Sequence, residues 1–160
     1  QVYEWDLQEG YLLTSGEKVG YSENCQSSLL AMENIPKVAD YMSEEIRSIH
    51  LEATLKEAGK LLHLYQIGAL LVDDDKRYVG IITDSDLSRK AVAQGLDPST
   101  TQIKQCMSKT IFSIEDAEPL IEAVKLMKNK RIRHLVVTED NTIIGILSVS
   151  DLLRYYSGVE

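Results

Sequence analysis

Residues 80–87 read Gly-Ile-Ile-Thr-Asp-Ser-Asp-Leu, and residues 145–152 read Gly-Ile-Leu-Ser-Val-Ser-Asp-Leu. The two stretches lie 65 positions apart, and the same offset holds far beyond them. From Val38/Ile103 to Arg89/Arg154 the chain matches itself without a gap, with 20 of 52 positions identical. The identities include Met42/Met107, Ser43/Ser108, Leu55/Leu120, Ala58/Ala123, Leu70/Leu135, Val72/Val137, Gly80/Gly145 and Asp86/Asp151. A repeat of this kind governs the fold, because a unit of about 55 residues cannot bury a sufficient core alone. The two copies are therefore expected to pack on one another about a pseudo-twofold axis.

The hydrophobic period changes within each copy. Leu55, Ala58, Leu61, Leu62 and Tyr65 recur at helical spacing, as do Leu120, Ala123, Val124 and Met127. Pro119 stands near the start of the second of these helices, where a missing N–H costs little. Apolar runs follow at 69–72 and 134–137, then polar turns at 73–77 and 138–142, then apolar runs at 79–82 and 143–147. Two such runs across a short polar loop predict a β-hairpin. A closing helix is expected from Ser85 and from Ser150, and a short strand at 46–49 and 111–114 ahead of the first helix. The fold class is α/β (α+β), with two β-α-β-β-α units and an N-terminal extension. The expected division is 1–36 extension, 37–94 first unit, 95–102 linker and 103–160 second unit. The stretch 93–103 carries Gly95, Pro98 and a Ser/Thr cluster, the composition of a surface connection. Residues 1–36, with Tyr3, Trp5, Tyr11 and Tyr21, read as a flank packed on the module or on a partner chain, with the remnant of another domain as the alternative.

Composition narrows the function. The 160 residues carry 17 Lys plus Arg against 25 Asp plus Glu, a formal charge of −8, which opposes binding to a phosphate backbone. Nothing approaches the ~18–20 apolar residues of a membrane span, and no basic segment leads into an apolar signal core. The two cysteines, Cys25 and Cys106, have no partners at ligand or disulfide-framework spacing and read as reduced thiols of a cytoplasmic protein.

Catalytic constellations are not found. His50, His63 and His134 sit apart from any nucleophile motif, and G-x-S-x-G, H-E-x-x-H and Walker A patterns are missing. The Asp73–Asp75 run fits a solvated turn better than a metal cluster. The doubled stretch is the exception. Each copy places a hydroxyl at a strand end (Thr83, Ser148), a second two residues on (Ser85, Ser150) and a carboxylate in the first turn of a helix (Asp86, Asp151). A carboxylate there can accept hydrogen bonds from two vicinal ribose hydroxyls, while hydroxyls and free helix N–H groups can meet a phosphate. The same residues also describe a plain helix N-cap. Their recurrence in register favours the ligand reading.

The doubled G-h-h-[ST]-x-x-D segment (h, apolar), the hairpins and the Met-Ser openings at Met42 and Met107 resemble a tandem pair of cystathionine-β-synthase (CBS) domains, a Bateman module. The resemblance covers about 120 residues, from Ile35 to Gly158. It implies a regulatory sensor, not an enzyme, that binds AMP, ADP, ATP, S-adenosylmethionine or NAD in clefts between the repeats and forms a flat homodimer. By this resemblance Asp86 and Asp151 match ribose-binding aspartates, with Thr83, Ser85, Ser148 and Ser150 as ribose- or phosphate-side hydroxyls. The segments Ile46–Ser48 and Ile111–Ser113 fall where the family holds adenine by backbone groups and apolar contact, with Arg47 and Lys76 as weaker cationic candidates. Arg133 and His134 match a phosphate-neutralising position, at which the first copy has Gly68 and Ala69. No metal is implied, and the regulated enzyme or channel is unnamed. Two other readings stay open: an oligomerisation module with empty clefts, and a nucleic-acid binder using Lys125, Lys128, Lys130, Arg131 and Arg133.

Overall fold

The computed structural model describes residues 4–6, 11–14, 17–18 and 35–158. The chain divides into two compact units, Gln1–Ile35 and Pro36–Glu160. The first contains three short antiparallel strands, β1 (Glu4–Asp6), β2 (Tyr11–Thr14) and β3 (Glu17–Lys18), in the order β1-β2-β3. The expected packing of residues 1–36 on the module concerns side chains outside the described residues, as does Cys25.

The second unit carries both repeats. The first copy runs β4 (Ser48–His50), α1 (Leu55–Tyr65), β5 (Ala69–Asp73), β6 (Tyr78–Thr83) and a closing helix, α2 (Asp84–Asp86), that continues as a π-helix over Leu87–Val92. The second copy runs β7 (Ser113–Glu115), α3 (Leu120–Lys130), β8 (His134–Glu139), β9 (Thr142–Ser148) and α4 (Val149–Ser157). In each, a parallel pair (β4 with β5, β7 with β8) is joined by its crossover helix, and an antiparallel hairpin adds the third strand. Ile67 follows a left-handed Gln66 (φ 53°), and Ile132 follows a left-handed Arg131 (φ 55°), so both crossover helices stop by the same αL device.

The strands at 46–49 and 111–114 begin two residues later than the sequence suggests, and the closing helices begin one residue earlier, at Asp84 and Val149. The first closing helix is not a regular α-helix throughout. Its π-helical continuation has no counterpart in α4, which is α-helical to Ser157. Such a widening commonly marks a site under local constraint.

Each copy has its own apolar core, and each core takes its last piece from the other copy's leading segment. Val38, fully buried in a 3₁₀ turn, packs with Ile114, Leu120, Ala123, Leu135 and Leu147 of the second copy. Ile103 and Cys106 pack with Ile49, Leu55, Ala58, Leu70 and Ile82 of the first. Main-chain bonds fix the exchange: Leu120 N donates to Pro36 O (2.8 Å), and Ile103 N donates to Ala53 O (2.8 Å). Further along, Ser43 exchanges two 2.9 Å bonds with Ile146, and Ser108 exchanges two with Ile81. The surface reading of 93–103 therefore holds as far as Thr100 and fails at its end. Thr101 and Ile103 are buried, because this end of the connection completes the first core.

All four of Ala69, Leu70, Leu71 and Val72 are buried, as are Leu135, Val136 and Val137. Strands covered on both faces are expected to be continuously apolar rather than alternating.

Candidate functional site

Two clefts flank the start of β5 and β8. One, of about 710 Å³, is formed by Met42, Ser43, Glu45 and Arg47, the stretch Gln66–Ala69, and from the second copy Ile146, Ser148, Ser150, Asp151 and Arg154. The other, of about 620 Å³, is formed by the equivalent positions: Ile81, Thr83, Ser85, Asp86, Arg89, Lys90, Ser108, Thr110, Phe112 and Arg131–His134. Both volumes are within the usual range for small-molecule sites. We refer to them as the Asp151 cleft and the Asp86 cleft.

The structure brings Ser148, Ser150 and Asp151 together in one cleft and Thr83, Ser85 and Asp86 in the other, while Arg133 and His134 line both. Ile46, Ser48, Ile111 and Ser113 line neither; Arg47 and Phe112 stand there instead, with Glu45 and Thr110. The reason is the period of two along an extended chain, which turns successive side chains to opposite sides. Ser48 and Ser113 are exposed within their strands.

The N-cap and ligand readings of the doubled motif prove compatible. Asp151 Oδ2 accepts from the Ser148 amide (2.8 Å) and hydroxyl (2.6 Å), while Ser148 Oγ accepts from the Asp151 amide (3.3 Å). Thr83 and Asp86 repeat this at 3.0, 2.7 and 3.2 Å. This reciprocal capping box fixes each carboxylate's rotamer. The hydroxyls of Thr83 and Ser148 are thereby committed to positioning the aspartate, leaving its other oxygen as the acceptor of interest.

That second oxygen differs between the clefts. Among the described residues, Asp151 Oδ1 has a single polar contact, Arg154 at 3.4 Å. Asp86 Oδ1 is paired with Lys90 at 2.7 Å, and the Ser108 hydroxyl is 3.5 Å away. Lys90 aligns with Tyr155 in the repeat, and Tyr155 instead packs edge-on against Tyr41 with ring centroids 4.8 Å apart.

The departure at Gly68/Ala69 versus Arg133/His134 has a steric cause. A Cβ on Gly68 would meet His134 Nε2 at 2.7 Å, so the imidazole of the second copy fills the space beside this glycine. Arg133 reaches across to the first copy, where its guanidinium pairs with Asp84 and donates to Ser85 Oγ (2.8 Å). Arg47 pairs with Glu45 and lies 4.1 Å over the Tyr65 ring. Of the cationic strip on α3, Lys125 is held by Glu122 at 2.7 Å and Lys130 lies 5.4 Å from the Phe112 ring centroid. Among the described residues, no helix is long and apolar enough to cross a membrane, and no cluster of His, Cys, Asp and Glu could hold a metal ion.

His134, between the clefts, titrates below its ordinary range, chiefly because burial disfavours the imidazolium and with the Arg133 charge acting the same way; Asp84 and Asp151 oppose both. A base whose folded value is depressed binds fewer protons folded than unfolded. Stability is then complete above the unfolded value of 6.5 and is lost as pH falls from there through the folded value. Melting temperature is expected to drop between pH 7 and pH 5, and His134→Gln is expected to flatten that slope. An unchanged slope in the variant would remove His134 from this role.

Two matching clefts, each lined by one capped aspartate, sit on a duplicated β-α-β-β-α unit. The chain belongs to the CBS-domain family, whose model matches residues 38–93 and 103–158. It is 30% identical over 115 residues to the CBS domain-containing protein YhcV of Bacillus subtilis, covering 72% of this chain and 81% of that one. An uncharacterized protein, MJ1232, of Methanocaldococcus jannaschii is 33% identical over 134 residues, but this chain spans only 43% of its length. Among solved structures, the CBS domain pair of MJ0100, in complex with 5′-methylthioadenosine and S-adenosyl-L-methionine, superposes with a TM-score of 0.69 at 26% identity, covering 79% of this chain and 99% of that one.

Proposed function

We propose that this chain is a regulatory, non-catalytic module that senses an adenosine-containing ligand, AMP, ADP, ATP or S-adenosylmethionine, in a cleft between its repeats. The observation that carries this reading is the Asp151 carboxylate: its rotamer is fixed by the capping box, it lines a cleft of about 710 Å³, and Oδ1 is nearly free to accept. Two vicinal ribose hydroxyls suit that oxygen. The phosphates would meet Arg133 and His134, the Ser150 hydroxyl and the first-turn amides of α4, where the helix dipole favours negative charge. Arg47 offers a planar cation against the purine or its phosphates. Signalling would follow from linkage: the ligand touches both copies and favours the arrangement it contacts better. Leu153 and Tyr156 on α4, 63% and 57% exposed, support pairing into a homodimer.

Isothermal titration of the chain with AMP, ADP, ATP and S-adenosylmethionine tests the reading. Saturable heat from at least one at sub-millimolar concentration is expected. No heat from any of the four at millimolar concentration would leave an oligomerisation module with empty clefts.

A further inference from the structure

The two clefts have similar volumes and matching capping boxes, yet their aspartates present different surfaces. In the Asp86 cleft the Lys90 ammonium is fully satisfied by protein acceptors: Asp86 Oδ1 at 2.7 Å, the Cys106 carbonyl at 2.9 Å and the Ser108 hydroxyl at 3.3 Å. An ammonium has three donors, and all three are used. Lys90 therefore occupies the acceptor that Asp151 leaves open in the other cleft. The Asp86 side chain is correspondingly 10% exposed, against 20% for Asp151.

The residue four positions after the aspartate produces the difference: it is Lys90 in the first copy and Tyr155 in the second, so only Asp86 has an ammonium at helical ion-pair spacing. In α4, Arg154, three residues after Asp151, donates to its Oδ1 at 3.4 Å. After Asp86, the residue four on, Lys90, reaches the carboxylate at 2.7 Å. The partner carbonyl also differs in setting, since Cys106 aligns with Tyr41, whose ring is taken up by Tyr155.

We infer that Lys90 is an internal plug of the Asp86 carboxylate, so that each chain takes one adenosyl ligand, in the Asp151 cleft. This rests on the proposed function and refines it to one site per chain. A ligand entering the Asp86 cleft must displace the ammonium from three acceptors and leave the Cys106 carbonyl without its partner. That lowers its affinity by about 100-fold or more relative to the Asp151 cleft.

Titration with AMP reads the stoichiometry directly. Wild type is expected to bind one AMP per chain, Lys90→Met two, and the double variant Lys90→Met/Asp151→Asn one. Two equivalent sites in wild type, or a single site in Lys90→Met, overturns the plug while leaving nucleotide sensing intact. Absence of heat in both wild type and Lys90→Met overturns the plug and the proposed function together. Because removing Lys90 leaves a buried carboxylate unpaired and could impair folding, photolabelling of wild type with 8-azido-AMP gives an independent answer. Labelled peptides are expected from 42–47, 66–69 and 146–154; labelling confined to 81–90 or 108–112 contradicts the inference.

Discussion

Asp151→Asn is expected to weaken AMP binding about 100-fold while leaving the melting temperature of the free protein nearly unchanged. The asparagine carbonyl can still accept from the Ser148 amide and hydroxyl, so the capping box that starts α4 survives. Its other atom becomes an amide donor where Oδ1 was an acceptor, and the charge is lost. Hydrogen bonds to a charged group contribute about 1.5–3 kcal/mol each, so losing the ribose pair costs about two orders of magnitude in affinity. Asp151→Ala should lose as much affinity and also about 1 kcal/mol of stability through the broken cap. Titration calorimetry beside a thermal melt separates the two effects. Equal affinities for wild type and Asp151→Asn would show that the carboxylate does not touch the ligand.

The second large effect acts through packing beside the clefts rather than through a group that would meet the ligand. Gly145→Val is expected to lower the melting temperature by about 10–20 °C, and Gly80→Val by a similar amount. A Cβ at Gly145 would stand 2.7 Å from the Ser43 carbonyl oxygen and 2.9 Å from Met42 Sδ; at Gly80 the corresponding distances are 2.7 Å to Ser108 O and 3.0 Å to Met107 Sδ. These are the places where the leading segment of one copy bonds to the last strand of the other. Overpacking there costs about 1–3 kcal/mol and the loss of two backbone hydrogen bonds about 2 kcal/mol more. Gly59→Ala is the control, since the nearest atom to its Cβ is Leu87 Cδ1 at 3.9 Å and the position lies inside α1. Alanine there is expected to be neutral or to stabilise by up to about 1 kcal/mol. A Gly145→Val protein that melts with wild type would mean that the two copies are not joined through this contact.

Much of this architecture is legible in the sequence because the repeat reports it twice. The helix periodicity from Leu55 and Leu120, both hairpins and the hydroxyl–carboxylate pairs are local patterns, and local patterns survive folding. The exchange of Val38 and Ile103 between cores is not local. Nothing in the composition of 93–103 says that Ile103 enters the core of the copy it follows, because that depends on the pseudo-twofold arrangement. Within the segments Ile46–Ser48 and Ile111–Ser113 it is the middle residues, Arg47 and Phe112, that line the clefts, because successive residues of an extended segment face opposite sides. Lys90 was discoverable. It stands four residues after Asp86, the spacing of a helical ion pair, at a position where the repeat substitutes a tyrosine. What the sequence could not show is the Cys106 carbonyl and the Ser108 hydroxyl that hold it there.

The most direct test of the central claim is a crystal structure of the chain grown with AMP. The account predicts ribose O2′ and O3′ within about 3 Å of the Asp151 carboxylate, with the phosphate toward Arg133 and His134. Density for AMP in another place, with the Asp151 carboxylate facing only solvent, would contradict it.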